Sequence, residues 1–504
     1  MKKTLFLSAI LLCVSFIAQS QNKTLNITQG GLEAALNGDY AFTTLIVSGA
    51  MDVRDFACLN ENAMNITSID LSGCNIVAYD SRDEQYLGYR THFEANTIPP
   101  SAFLGFKELK TVTLPASVVA IGDGAFAGCE NLTTIVGGEA IEMIGDYAFS
   151  GCDMLRDITF STSLYRIGDY AFDKCASLVE VNLSACQNLA YVGKRAFAQN
   201  ALLATVKMPQ EVGVIGDAAF AGCGNLTLVE MPQNINNIAT GIFAACTSLQ
   251  NIDLSQSNIS VLPAWIFSGC CSLSDVALPN ALSTIGEGAF YYCTSLSMIQ
   301  LPIGIESIDD FSFAGCSSLN EVTFLPDGME TIGRYSFYQN TAVDSVILPA
   351  SVAYIGDHAF DGCINANSFD TPREIPAELG EMVFANMEVE QKTLTVPSEG
   401  VIIYQSTAQW QDFGKISAST GLDDVIIRND LKAVFQQYNL VVSSQQEMTD
   451  VRLYDTAGML LAHSTTHTQE VTIDTRAFAG NIYLLQVTTA DGNTAVTKVA
   501  RVIR

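Results

Sequence analysis

The 504-residue chain carries 25 basic and 53 acidic side chains, a net charge of −28. That surplus of carboxylates disfavours nucleic-acid phosphates and anionic membranes as partners. At 48% hydrophobic and 15% charged residues the chain is not a disordered one, and it is too long for a single core of about 100–200 residues.

The first segment, MKKTLFLSAILLCVSFIAQS, predicts a leader over 1–20. Lys2 and Lys3 precede a largely apolar run of 14 residues, Leu5 to Ala18, shorter than a membrane span. Ala18 and Ser20 suit a cut after Ser20, which leaves 23 basic against 53 acidic residues, a net −30. Two alternatives are an uncleaved anchor and a lipoprotein site at Cys13, but Leu12 stands where the latter wants a small residue. After cleavage no membrane span is expected. Residues 21–95 are expected to form an N-terminal cap, with strand, turn and strand in "FTTLIVSGAMDVRDFACL" (42–59) and "ITSIDLSGCNIVAYD" (66–80).

From residue 96 the chain repeats itself. In the unit I-G-D-x-A-F-x-x-C-x-x-L the phenylalanine recurs every 23 to 25 residues: Phe103, Phe126, Phe149, Phe172, Phe197, Phe220, Phe243, Phe267, Phe290, Phe313, Phe337 and Phe360, with Phe384 as a decayed thirteenth copy. Each unit continues into L-x-x-V-x-L-P, as in "LKTVTLP" (109–115), a short strand that ends at proline. A second extended piece follows, as in "SVVAIG" (117–122); the Gly-Asp pair then turns the chain, and A-F-x-x-C is expected to form one helical or 3₁₀-like turn. One coil cannot bury its own Phe, Ile, Leu and Val, but stacked coils can. At about 4.8 Å per coil, the solenoid expected over 96–416 is on the order of 60 Å long. The Gly-Asp pair is lost at Ala239–Thr240, Pro263–Ala264 and Asp309, so those turns are expected to differ.

Nine of the 14 cysteines share one repeat position: Cys129, Cys152, Cys175, Cys223, Cys246, Cys270, Cys293, Cys316 and Cys363. Asn200 and Asn340 take that position in two copies. Such a column predicts buried free thiols rather than disulfides, and no histidine accompanies it to form a metal site. Cys58, Cys74, Cys186 and Cys271 lie off the column, and a Cys58–Cys74 bridge stays open at this stage.

Past the repeats, "SASTGLDD" (417–424) reads as a linker, and alternating strands over 425–504 predict a small C-terminal β-sandwich. No nucleophile elbow, phosphate loop or zinc pattern appears, so no catalytic residue, metal or cofactor is assigned. The four histidines, His92, His358, His463 and His467, read as scattered. Asp123, Asp146, Asp169, Asp217 and Asp357 follow turn glycines and are expected to cap the helical turn. What remains is surface. The outward positions of the first strand are expected to stack into one continuous face, whose acids Asp157, Glu180, Glu230, Asp253, Asp275 and Glu321 form a candidate binding strip. A merely solvated sheet is the plain alternative.

The repeat unit resembles the leucine-rich repeats of the BspA-like type, found in surface proteins of Bacteroidetes and some mucosal parasites, over roughly 96–397. The resemblance implies a β-rich leucine-rich-repeat solenoid. It also implies a secreted or cell-surface protein that binds an extracellular protein, glycan or microbial surface, with adherence as its purpose. An envelope scaffold is the alternative, and a glycan-acting enzyme a distant third. "VRLYDTAG", "DTRAFAGNIYLLQV" and "TKVARV" resemble the C-terminal sorting domain of type IX secretion cargo. Ligand and oligomeric state are not legible.

Overall fold

The computed structural model describes residues 22–80, 92–419 except 234, 236, 323 and 324, and, with short gaps, 426–500. The expected leader and most of the expected linker lie outside the described residues. Two compact units result: one runs to Thr393 and includes Thr407–Lys415, the other comprises Leu394–Ser406 and the chain from Ile416.

The first unit is a stack of coils held by parallel ladders. It begins with β1 (Asn22–Ile27), α1 (Leu32–Leu36), β2 (Thr44–Met51), α2 (Val53–Asn62) and β3 (Ser68–Ile76). The buried Asp55 carboxylate accepts backbone N–H groups from Gly30, Leu32 and Asp52 at 2.9–3.0 Å. Those bonds satisfy a charge that burial would otherwise penalise. The strands β1, β2 and β3 run parallel and lead straight into Thr111–Thr113 and Thr134–Val136, so the N-terminal segment opens the first ladder.

A second ladder carries the x-Ile pair before each Gly-Asp. Thr97–Ile98, Ala120–Ile121, Met143–Ile144, Arg166–Ile167, Tyr191–Val192 and Val214–Ile215 pair in parallel. A bridge from Ile215 to Ile238 follows, and pairing resumes from Val261–Leu262 to Glu378–Leu379.

Between the ladders runs the phenylalanine column, buried throughout. Each ring stacks on the next: centroids are 5.1 Å apart from Phe103 to Phe197, widen to 5.9 Å at Phe220–Phe243 and 6.2 Å at Phe243–Phe267, and return to 5.1 Å at Phe290–Phe313. Two of the three widest rungs coincide with Ala239–Thr240 and Pro263–Ala264, and the widest, Phe360–Phe384 at 6.3 Å, with the decayed last copy; at Asp309 the spacing stays within 5.1–5.4 Å. The last ring, Phe384, meets Trp410 and Phe413, and the Trp410 indole N–H donates to the Ala377 carbonyl at 3.1 Å.

The A-F-x-x-C segment is not helical. It is a run of turns with two residues per coil in the left-handed region, such as Tyr147 and Gly151, or Tyr170 and Lys174. A right-handed helix cannot pass through such residues. The freed N–H groups donate instead to the following coil, as from Phe126 to Ala148 and from Phe149 to Ala171 at 2.7–2.8 Å. A third line of inter-coil hydrogen bonds thus replaces the helix.

The cysteine column is buried and unbridged, and Cys58 and Cys74 are free as well. Each column thiol donates to a phenylalanine carbonyl one coil back: Cys129 to Phe103, Cys152 to Phe126, Cys175 to Phe149 and Cys223 to Phe197, at 3.1–3.2 Å. Burial pushes the thiols of Cys129, Cys223, Cys270, Cys316 and Cys363 up to about 12. Little thiolate therefore forms at neutral pH. A thiol-specific reagent added to native protein at pH 8 is expected to label Cys271, which is half-exposed, and spare the buried thiols until denaturant is added. Rapid native labelling of several column cysteines would contradict a sealed interior.

The two asparagines of the column differ. Asn200 donates to the carbonyls of Phe172 and Phe197 at 3.1 and 2.9 Å. Asn340 leaves both side-chain polar atoms buried without a partner. Asn340→Cys is therefore expected to stabilise the protein by about 1–2 kcal/mol, since an unpaired buried amide costs about that much. Thermal unfolding checks it, and a lowered melting temperature would contradict it.

The second unit's strands, Ile426–Arg428, Leu431–Gln436, Asn439–Tyr454, Leu460–Asp474, Ile482–Thr489 and Thr494–Ala500, form one antiparallel sheet. Asn439–Tyr454 pairs first with Leu431–Gln436 and then, past a register shift between Ser443 and Met448, with Ile482–Thr489. The sheet curls around Leu440, Val451, Leu453, Tyr483, Leu485 and Val487. Because one 16-residue strand runs through both halves, the expected small β-sandwich is met only in part, by one curled sheet.

Candidate binding surfaces of the solenoid

Inward and outward side chains alternate along the first ladder, as the pleat requires. Leu109, Val112 and Leu114 are buried, while Thr111 and Thr113 reach the surface. The expected continuous face is, however, broken into groups: β1 to Thr134–Val136; Glu180–Asn182 to Leu228–Glu230; Asn251–Asp253 with Asp275–Ala277; and Glu321–Val322 onward. The first break follows Gly137 and Gly138, both in the left-handed region, where the preceding coil has Leu114 and Pro115. In the next coil Phe160 replaces the inward leucine and packs edge-on against Phe172 and Phe197.

The six candidate acids therefore do not share one sheet. Asp157 is exposed on the unpaired segment of that irregular coil. Glu180 lies on a strand, 3.2 Å from Lys207, and Lys207 stands in register with Glu230. Such exposed pairs contribute little stability. Asp253 accepts the Ser255 N–H at 2.8 Å, and hydrogen bonds from Ser255 hold its carboxyl below the usual range. Asp275 pairs with Asn251, and Glu321 with Ser345. Exposed apolar residues interleave with them: Val136, Leu228, Met298 and Ile347, all 45–64% exposed.

The aspartates of the Gly-Asp turns act between coils rather than as helix caps. Asp123 accepts the N–H of Asp146, Asp146 that of Asp169, and Asp169 that of Lys194, at 2.9–3.0 Å. Asp217 accepts from Thr240 and Asp357 from Glu381. The glycine before each aspartate permits this approach: a Cβ added at Gly168 would lie 2.5 Å from the Asp146 nitrogen.

A surface that sequence reading passed over lies one residue further on. In D-x-A-F the x position is left-handed in every regular coil and often aromatic: Tyr147, Tyr170, Trp265, Phe311, Tyr335 and His358. Phe311, Tyr335 and His358 stack at 5.0 and 4.7 Å, with Trp265 beside Phe311 at 6.4 Å. His358 is fixed by Asp361 at 2.8 Å. The legible signal is the recurrence of rings at one repeat position.

Two hollows touch these surfaces. One, about 40 Å³, is lined by Leu114, Ile141, Phe149, Phe160 and their neighbours and holds no more than a water or two. The other is a shallow groove of about 440 Å³ lined by Glu287, Asp309, Asp310, Arg334 and Tyr354, where Arg334 pairs with Asp310 at 2.8 Å. Among the described residues no group of three metal-ligating side chains is gathered. His463 instead meets Asp450 at 2.5 Å. No helix among them is long and apolar enough to cross a membrane.

Comparison with solved structures finds similar chains. A leucine-rich repeat protein from Bacteroides ovatus is 26% identical, with a TM-score of 0.52, over 70% of this chain and 92% of that one. A leucine-rich repeat protein of T. pallidum is 32% identical over 36% of this chain and 78% of that one, with a TM-score of 0.30. A leucine-rich cell surface protein from Faecalibacterium prausnitzii is 20% identical over 69% and 87%, with a TM-score of 0.35. No curated protein matches. The model of the BspA type leucine-rich repeat region matches residues 96–227, 190–305 and 283–413, more than half of the chain. The chain thus belongs to the BspA-type leucine-rich repeat family.

Proposed function

We propose that this is a secreted or cell-surface repeat protein that binds an extracellular protein or glycan through the outward side chains of its coils, in the manner of an adhesin. The observation that carries this reading is the mixture, at the outward positions of the coils, of exposed carboxylates and exposed apolar side chains, Glu180, Asp253 and Asp275 together with Leu228 and Met298. Extended faces of this kind are what repeat proteins use to meet macromolecules, and the described hollows are too small or too shallow to enclose a small molecule. The leader-like 1–20 segment supports export. The resemblance of the C-terminal strands to a sorting domain supports display at the surface, with that domain either cut off or retained.

The test is retention of residues 21–504 on immobilised matrix proteins, glycans and microbial surfaces. Charge reversal at Asp157, Glu180 and Asp253 is expected to weaken it at least severalfold, with salt sensitivity to match. Absence of retention on every surface would overturn the reading. Fractionation of cells with an antibody to the last 80 residues would report whether that domain stays on the chain.

A further inference from the structure

The left-handed column before Ala-Phe contains a gap. From the N-terminal side its residues are Ser101, Gly124, Tyr147, Tyr170 and Arg195, at φ values between +51° and +60°. Tyr147 and Tyr170 stack face to face at 4.7 Å and 3°. The Arg195 guanidinium lies over Tyr170 at 5.6 Å and is anchored by Asp173 at 3.2 Å. One face of Tyr147 is thus occupied, yet the residue is 48% exposed. Its other side looks toward the rung of Gly124, which has no side chain. A Cβ added there would meet only Ser101 Oγ at 3.9 Å and Ala127 Cβ at 4.0 Å.

The molecule shows twice what such a column accepts. At Gly288, another glycine rung of the column, the indole of Trp265 leans across from the preceding coil and fills the place where a Cβ would stand. At Arg195 a guanidinium closes the tyrosine pile. Asp123 and Asp146 directly precede Gly124 and Tyr147; Arg166 already pairs with Asp146 at 2.8 Å, but the chain as a whole keeps a net charge of −28. A flat cation fits both the ring face and this charge.

We propose that the open face of Tyr147 above Gly124 receives an arginine side chain of a basic partner protein. This rests on the macromolecule-binding reading and names the partner's chemistry. Arginine is favoured over lysine because its planar guanidinium stacks on a ring while its N–H groups reach carboxylates. A sugar ring could also lie on a tyrosine face, so the test separates the two.

The probe is a blocked peptide of alternating glycine and arginine, compared with its lysine and citrulline counterparts, titrated into the full-length protein by calorimetry. The arginine peptide is expected to bind best. Gly124→Tyr, which fills the rung, and Tyr147→Ala, which removes its wall, are each expected to weaken it about tenfold. Gly124→Tyr keeps the fold intact, because the column already carries tyrosines at φ +57° and +58°; circular dichroism verifies this. Equal binding of all three peptides, or unchanged binding by Gly124→Tyr, overturns the proposal. So does a glycan whose binding disappears in Gly124→Tyr while the protein shows no preference for arginine. If retention on a matrix surface survives in Gly124→Tyr, the rung fails and the wider function stands. If the arginine peptide binds as expected but no surface retains the protein, the wider function fails and the rung stands.

Discussion

Replacing Phe172 by alanine is expected to destabilise the first unit by about 4 kcal/mol, the upper range for a large buried ring. Phe172 is fully buried, stacks on Phe149 and Phe197 at 5.1 Å on either side, and takes the edge of Phe160 at 5.8 Å. Its loss opens a cavity between three coils at once, and neighbouring coils held by backbone ladders cannot collapse into it. In a stacked array stability is close to a sum of coil terms and nearest-neighbour terms. Phe172→Ala is therefore expected to cost more than Phe243→Ala, whose neighbours already stand 5.9 and 6.2 Å away. Chemical denaturation of the two variants checks the order; equal losses would mean that ring stacking adds little to burial.

The second large effect is expected from one added methyl group. Gly168→Ala is expected to destabilise by about 3 kcal/mol, at the high end for overpacking. The new Cβ would lie 2.5 Å from the Asp146 nitrogen and from the Gly145 carbonyl carbon. Both are backbone atoms of the adjacent coil, so no side chain can rotate away, and relief requires separating the coils. That separation would also stretch the bond from the Asp169 N–H to the Asp146 carboxylate, now 2.9 Å. Gly128→Ala is the control. Its φ of +71° is strained for alanine, but the nearest atom, Gly105 Cα, is 3.7 Å away, so about 1 kcal/mol is expected. If the two glycines respond alike, conformation rather than coil approach explains the Gly-Asp position.

Those predictions rest on features that were legible to different degrees. The rings of Phe103 to Phe384 were readable because period and residue type coincide at one position. The inward Leu and Val of L-x-x-V-x-L were readable because alternation marks a pleated strand. The A-F-x-x-C segment was misread as a helical turn. Its residue types permit a helix, and nothing in a tyrosine or tryptophan announces a left-handed backbone at Tyr147 or Trp265. The Gly-Asp pairs were found, but their partners lie one coil away, at a distance that sequence does not encode. The acidic strip was drawn as continuous because each coil was treated as equivalent. Gly137, Gly138 and Phe160 break that equivalence and leave Asp157 off the sheet. The aromatic column was missed for the opposite reason: its position varies, and only stacking of the coils brings Tyr147 over Tyr170.

The stacked interior is tested most directly by removing one coil in register. Deleting residues 287–309 takes out 23 residues and joins Gly286 to Asp310, which restores an I-G-D-x-x-F unit. The shortened chain is expected to fold, with the far-ultraviolet dichroism per residue of the parent and one cooperative unfolding transition for the solenoid, whereas deleting only 287–298 should abolish folding. If both deletions behave alike, whether folded or aggregated, the coils do not share one repeating core.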